Sequence, residues 1–171
     1  SENENALVLS MLAVGGGTVA IASMPGRDGA YQQDLQSFRE FKPSLVLTMV
    51  TKAELTDTGA VAFGIDIQSL GSRWFHLPVM DYCAPATDTA KLWPAASEAA
   101  RSALAGGGRV LVHCKAGCGR SGMAALRLMV DTGEEPAKAL ERLRAVRSCA
   151  VETEVQLAWA CAGASVGTSP D

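Results

Sequence analysis

Histidine is nearly missing from this chain, His76 and His113 being its only two. The five cysteines (Cys83, Cys114, Cys118, Cys149 and Cys161) are odd in number, irregularly spaced and form no CxxC pair. Without imidazole and thiolate clustered at zinc spacing, no bound metal is expected, and no cofactor is called for. The same cysteine pattern fits a reducing compartment, the cytoplasm being the simplest. Basic runs are also lacking. Lys and Arg number 15 against 18 Asp and Glu, a net charge of −3, so neither nucleic acid nor a membrane surface is an expected partner. No repeat or linker divides the 171 residues, 48% of them apolar. One domain is expected over residues 6–163, with flexible termini at 1–5 and 164–171. The uncharged stretch from Ala6 to Gly26 is interrupted by Gly15-Gly16-Gly17 and preceded by acidic Glu2 and Glu4, unlike a membrane span. It reads as two strands, Leu7–Leu9 and Thr18–Ile21, joined by a glycine turn.

Beyond this hairpin, apolar periodicity alternates between strand and helix. Helices are expected at Tyr31–Phe41 (Leu35, Phe38 and Phe41 inward), Lys52–Leu55, Val61–Leu70, Asp88–Leu104 with a kink near Pro94, Arg120–Asp131, Pro136–Val146 and about Val151–Ala162. Strands are expected at Leu45–Val50, Trp74–Leu77 and Arg109–Val112. Such alternation predicts an α/β domain with a central, mainly parallel sheet flanked by helices.

The most informative passage is His113-Cys114-Lys115-Ala116-Gly117-Cys118-Gly119-Arg120-Ser121, set between a very apolar strand and an Ala/Leu/Met-rich helix. A loop at that junction turns its backbone N–H groups inward, and the helix start adds positive potential, so a tetrahedral dianion finds a ring of donors. Gly117 and Gly119 are expected to let the backbone take the positive φ values that a tight cradle requires. Arg120 contributes a planar charged fork able to hold two oxygens. The same field favours the thiolate of Cys114, which Ser121 is positioned to hydrogen-bond, while His113 is expected to orient the loop. Lys115, Ala116, Gly117, Cys118, Gly119 and Arg120 are the expected phosphate-binding residues. Such chemistry needs a proton donor. Asp81 follows the strand Trp74–Leu77 and so shares the carboxyl edge of the sheet with this loop. Asp88 is its rival, although Thr87-Asp88 also suits a helix N-cap.

His-Cys-(five residues)-Arg-Ser resembles the signature of the cysteine-dependent protein tyrosine phosphatases, in particular the small dual-specificity branch. The markers Ser23-Met24-Pro25-Gly26-Arg27, Asp34-Leu35, Glu54-Leu55, His76 to Asp81 and Val151 to Gln156 are similar in spacing to phosphatases of the kinase-associated group. The resemblance implies a dual-specificity-like fold and hydrolysis of phosphate monoesters through a phosphocysteine on Cys114. It implies Asp81, 33 positions before the cysteine, as acid and then base, and Gln156 as a positioner of water. An exposed face of the last helix is the other reading of Gln156. Glu152 and Thr153 either brace the loop or cap that helix.

Two departures from the family pattern bear on regulation and substrate. Cys118 stands where relatives commonly carry an aliphatic residue or lysine, which offers Cys114 a disulfide partner under oxidation, Cys83 being a second. The alternative leaves Cys83 and Cys118 as inert small residues. Lys115 is the loop's one lysine, whereas phosphoinositide 3-phosphatases of this superfamily usually have two. The expected partner is therefore a phosphorylated protein or peptide, bound in a shallow cleft. Inositol phosphates or other small esters, or a phosphate-binding pseudophosphatase, are the alternatives. Oligomeric state is left open.

Overall fold

The computed structural model describes residues 7–163, so the expected flexible termini lie outside the described residues. Five strands and seven helices follow one another: β1 Ser10–Val14, β2 Gly17–Ala22, α1 Tyr31–Phe41, β3 Leu45–Thr48, α2 Lys52–Asp57, α3 Phe63–Ser69, β4 Arg73–His76, α4 Thr87–Ala105, β5 Arg109–His113, α5 Gly119–Asp131, α6 Pro136–Val146 and α7 Glu154–Cys161. The sheet order is β1-β2-β5-β3-β4. All pairings are parallel except β1 with β2. Val110, Leu111 and Val112 of β5 are fully buried. Successive strand side chains point to opposite faces, so helices must cover both sides of the sheet, as its unbroken apolar run implied. One helical group packs around α5, in contact with α4, α6 and α7. In the other, Phe38 of α1 meets Phe63 of α3 edge-on at 5.5 Å.

The α/β architecture is as expected; several boundaries are not. The first strand is Ser10–Val14 rather than Leu7–Leu9, because Gly15 and Gly16, at φ 56° and 97°, make a two-residue turn that sets Val14 opposite Gly17. Leu7 and Leu9 instead lie partly buried against the core. The last helix begins at Glu154 instead of near Val151. Val151 has φ 68°, outside helical space, and Thr153 closes a capping box with Gln156. Helix α4 begins at Thr87 behind Ala86, so Asp88 lies in its first turn and not at its cap, and the helix continues through Pro94.

Parallel strands place their carboxyl ends along one edge. There β5 delivers Cys114, β4 leads into Leu77-Pro78-Val79-Met80-Asp81, and β2 leads into Met24 to Arg27. The residues expected to act together are thus far apart in sequence and adjacent in space.

Candidate active site

Between β5 and α5 the chain forms a five-residue loop, Cys114 to Cys118, whose outward carbonyls are held from behind. Lys115 O accepts from Met24 N–H at 3.0 Å, and Cys118 O accepts from Gly122 and Val151 at 2.9 and 3.3 Å. Arg147 donates to the carbonyls of Gly117 and Ala116 at 2.8 and 3.1 Å. With these carbonyls engaged, the loop amides are left to face a ligand. Gly117 takes φ 77°, and a Cβ there would strike the Arg147 guanidinium and the Ala22 carbonyl. Glycine is required at this point for both reasons, whereas Gly119 does not take the positive φ expected of it and is confined to glycine by the Glu152 and Gln156 side chains packed against it.

Cys114 is 2% exposed. Its Sγ lies 3.2 Å from Ser121 Oγ, the one hydroxyl contact expected of it. Arg120 is equally buried, yet not free. Its Nη1 and Nη2 donate to the two carboxylate oxygens of Glu54 at 2.7 and 2.9 Å, and Nη1 also donates to Val79 O at 2.8 Å. Nε is buried and has no hydrogen-bond partner among the described residues. A guanidinium has five hydrogens. Three are engaged here, leaving Nε–H and one on Nη2, the parallel pair that suits two oxygens of an anion. Glu54 therefore aims the arginine. Burial works against both charges, but the Arg120 hydrogen bonds and charge, with the Thr51 amide, hold Glu54 down to about 2. Arg120 is correspondingly held above its ordinary value against burial by Glu54, and by Cys114 and Asp81.

His113 supports the loop through a proton-ordered chain. Burial lowers its pKa to about 4, opposed by the Cys114 carbonyl and reinforced by His76 and Arg120, so the ring is neutral at pH 7. The Cys114 carbonyl only accepts, so Nδ1 must donate to it at 3.1 Å, leaving Nε2 to accept from Thr48 Oγ1 at 2.9 Å. Thr48 in turn accepts from Trp74 Nε1 at 2.7 Å.

Across the cavity, Asp81 Oδ1 lies 3.6 Å from Arg120 Nη2 and accepts the Tyr82 amide at 3.0 Å. Tyr82 O accepts from Thr153 Oγ1 at 3.0 Å. Cys83 O accepts from Gln156 Nε2 at 3.2 Å. Gln156 is fully buried rather than on an exposed helix face. Its Oε1 accepts the amides of Glu152 and Thr153 at 2.9 and 3.3 Å, so it caps α7 and clamps the Asp81 loop, with one Nε2 hydrogen left over. Thr153 caps α7 and braces the loop that carries Asp81. A cavity of about 220 Å³ is lined by Arg27, Asp81, Tyr82, Cys114, Lys115, Ala116, Gly119, Arg120 and Glu152. The rival Asp88 is not among them.

Residues 20–134 match the family described as "Tc-R-P: Polymorphic toxin system, DSP-PTPase phosphatase". The chain belongs to this family. No curated protein matches the phosphatase in sequence. Among solved structures, it is similar to kinase associated phosphatase (KAP) carrying serine at the catalytic cysteine, with TM-score 0.79 and 20% identity over 92% of this chain and 94% of that one. It is similar to Tk-PTP in the active form at TM-score 0.66 and 26% identity, covering 88% and 92%. PTPMT1 in complex with PI(5)P gives TM-score 0.64 and 20% identity, covering 89% and 92%.

The cysteines of the phosphatase pair differently from the sequence expectation. Cys118 is disulfide-bonded to Cys149, 31 positions away and with a Cα–Cα separation of 5.1 Å, not to Cys114 or Cys83. Nor is it inert, since the bond ties the Cys114–Cys118 loop to the segment that carries Arg147. Cys83, Cys114 and Cys161 are free thiols. A disulfide between Cys118 and Cys149 is not what the expected reducing compartment favours. No helix among the described residues is long and apolar enough to cross a membrane.

Glu54, Arg147 and Cys149 were not identified from sequence as site residues. A signal existed for Glu54: Thr51-Lys52-Ala53-Glu54 is a capping box, and its Oε1 accepts the Thr51 amide at 3.0 Å. Read as a cap alone, it hides the ion pair. Arg147 and Cys149 lie beyond the matched residues 20–134 and carried no comparable local pattern.

Proposed function

We propose that this phosphatase hydrolyses phosphate esters on proteins, phosphotyrosine foremost, with Cys114 as nucleophile. Sulfur attacks phosphorus in line and the ester P–O bond breaks as Asp81 protonates the departing oxygen. The equatorial oxygens are held by amides of residues 115–120 and by the two unengaged hydrogens of Arg120. Water then attacks the phosphocysteine, Asp81 takes its proton, and the S–P bond breaks. The Ser121 hydroxyl stabilises the departing thiolate. The remaining Nε2–H of Gln156 is available to that water.

One observation carries this reading. A buried sulfur beside a hydroxyl opens into the same small cavity as Asp81 and an arginine whose Nε has no partner. That combination of nucleophile, proton donor and oxyanion holder disfavours a merely phosphate-binding role. The test is turnover of an aryl phosphate and of a phosphotyrosine peptide by the parent and by Cys114→Ser. Turnover should vanish in the variant while vanadate still binds, as calorimetry would register. Equal turnover by parent and variant would remove Cys114 from the chemistry.

A further inference from the structure

Arg27 stands at the mouth of the catalytic cavity and has no part in the steps above. The backbone that carries it is firmly set. Met24 N–H donates to the Lys115 carbonyl at 3.0 Å and Arg27 N–H to Met24 O at 3.3 Å. Gly26, at φ 83°, donates its N–H to Asp34 Oδ2 at 2.8 Å. Asp34 is 4% exposed on α1, so the turn is anchored to the phosphate loop at one end and to a buried carboxyl at the other. The Arg27 side chain is exposed. It makes one long hydrogen bond, Nη1 to Lys115 O at 3.5 Å, and no ion pair among the described residues.

An exposed cation on an anchored turn, without a carboxylate partner among the described residues and beside the proposed phosphate site, has the properties of a recognition group. The charges around the cavity limit what it can recognise. Glu54 already neutralises Arg120. The transferred phosphate is met by the loop amides and the free Arg120 hydrogens. Arg27 and Lys115 then remain for additional negative charge on the substrate, whereas Asp81 and Glu152, which line the same cavity, oppose an array of further phosphates. One extra carboxylate fits that balance better than an inositol polyphosphate does.

We propose that Arg27, assisted by Lys115, is a specificity-determining residue that binds a substrate carboxylate, so that the enzyme selects phosphopeptides with an acidic residue next to the phosphorylated one. The proposal rests on the phosphopeptide reading above. It is tested with two phosphotyrosine peptides differing only in Glu or Gln beside the phosphotyrosine, and with an inositol bisphosphate. The quantity read is the ratio of kcat/KM for the Glu peptide to that for the Gln peptide, in which any effect on folding or chemistry common to both cancels. The parent should prefer the Glu peptide by about five- to tenfold, the scale of a partly exposed charge-assisted hydrogen bond. The ratio should fall to about one in Arg27→Ala, lie between in Arg27→Lys, and shrink in the parent at about 1 M salt. A parent ratio near one, or a ratio that Arg27→Ala leaves unchanged, overturns the proposal. So does faster hydrolysis of the inositol bisphosphate than of the Glu peptide. Failure of the underlying phosphatase reading has a different signature: Cys114→Ser would hydrolyse both peptides as fast as the parent.

Discussion

The two loops that face each other across the cavity are built differently. The Cys114–Cys118 loop has its carbonyls from Lys115 to Cys118 engaged from behind, a disulfide to Cys149 and a sulfur almost wholly buried. The loop carrying Asp81 exposes Met80, Asp81, Tyr82 and Cys83. It is fastened on either side of the aspartate, by Arg120 to Val79 O at 2.8 Å, Thr153 to Tyr82 O at 3.0 Å and Gln156 to Cys83 O at 3.2 Å. Tyr82 at φ 65° holds a backbone conformation that a non-glycine residue enters only under constraint. The difference matches the two tasks proposed for them. A nucleophile and its oxyanion collar act through fixed geometry, whereas the residue that gives a proton to one molecule and takes one from the next must be reachable from solvent.

The largest effect is expected at the aspartate. Asp81→Ala should lower kcat about 10²–10⁴-fold on a phosphopeptide, the scale of a general acid, and much less on an aryl phosphate with a good leaving group. Steady-state rates on both substrates decide it, and an unchanged peptide rate removes Asp81 from the acid role. Vanadate affinity should hardly move.

Breaking the brace of the opposite loop should do the reverse. Cys149→Ser removes the disulfide and is expected to lower stability by about 2–4 kcal/mol and to weaken vanadate binding, as read by chemical denaturation and calorimetry. An unaltered denaturation midpoint and vanadate affinity would mean that Arg147 alone sets the loop.

Of similar size is the response to acid. His113 titrates at about 4 against an ordinary 6.5, and Glu54 at about 2 against 4.5, so each binds fewer protons folded than unfolded in between. Stability therefore rises with pH across those windows. The His113 contribution is complete above about pH 6.5 and is lost as pH falls through 4, and the Glu54 contribution follows from about 4.5 down to 2. For His113 the loss is about 3 kcal/mol. Urea midpoints between pH 7.5 and 4 should fall steeply in the parent, and the His113→Asn variant should flatten the upper part of that fall.

The smallest expected effect is at Thr153→Ala, which removes the α7 cap and the Tyr82 contact at a cost of about 1 kcal/mol. It should reduce kcat on the peptide while leaving vanadate affinity intact. If it weakens vanadate binding as much as Cys149→Ser does, the two loops form a single unit and the comparison dissolves.

Much of this was legible along the chain because the information is local. The β5 strand, the Gly-containing loop and the opening of α5 occupy consecutive positions, and Asp81 could be placed by the rule that parallel strands end along one edge. The hairpin was recognised but shifted, since its register depends on both glycines taking left-handed angles, which apolar runs do not reveal. Gln156, which the resemblance implies as a positioner of water, is largely engaged in capping, because its carbonyl oxygen meets the amides of Glu152 and Thr153 only once the chain turns at Val151.

By itself the sequence determined the reaction class and the α/β order, and it singled out the cysteine and arginine proposed to act, because a cysteine, its cradle and a helix start must be contiguous to work on one phosphate. Only the tertiary structure decided how that arginine is aimed, what stands behind the loop and which cysteine Cys118 joins. Those partners (Glu54, Arg147 and Cys149) are distant in sequence and are selected by position in space. A single charged or sulfur-bearing residue carries no periodicity to announce where it will point.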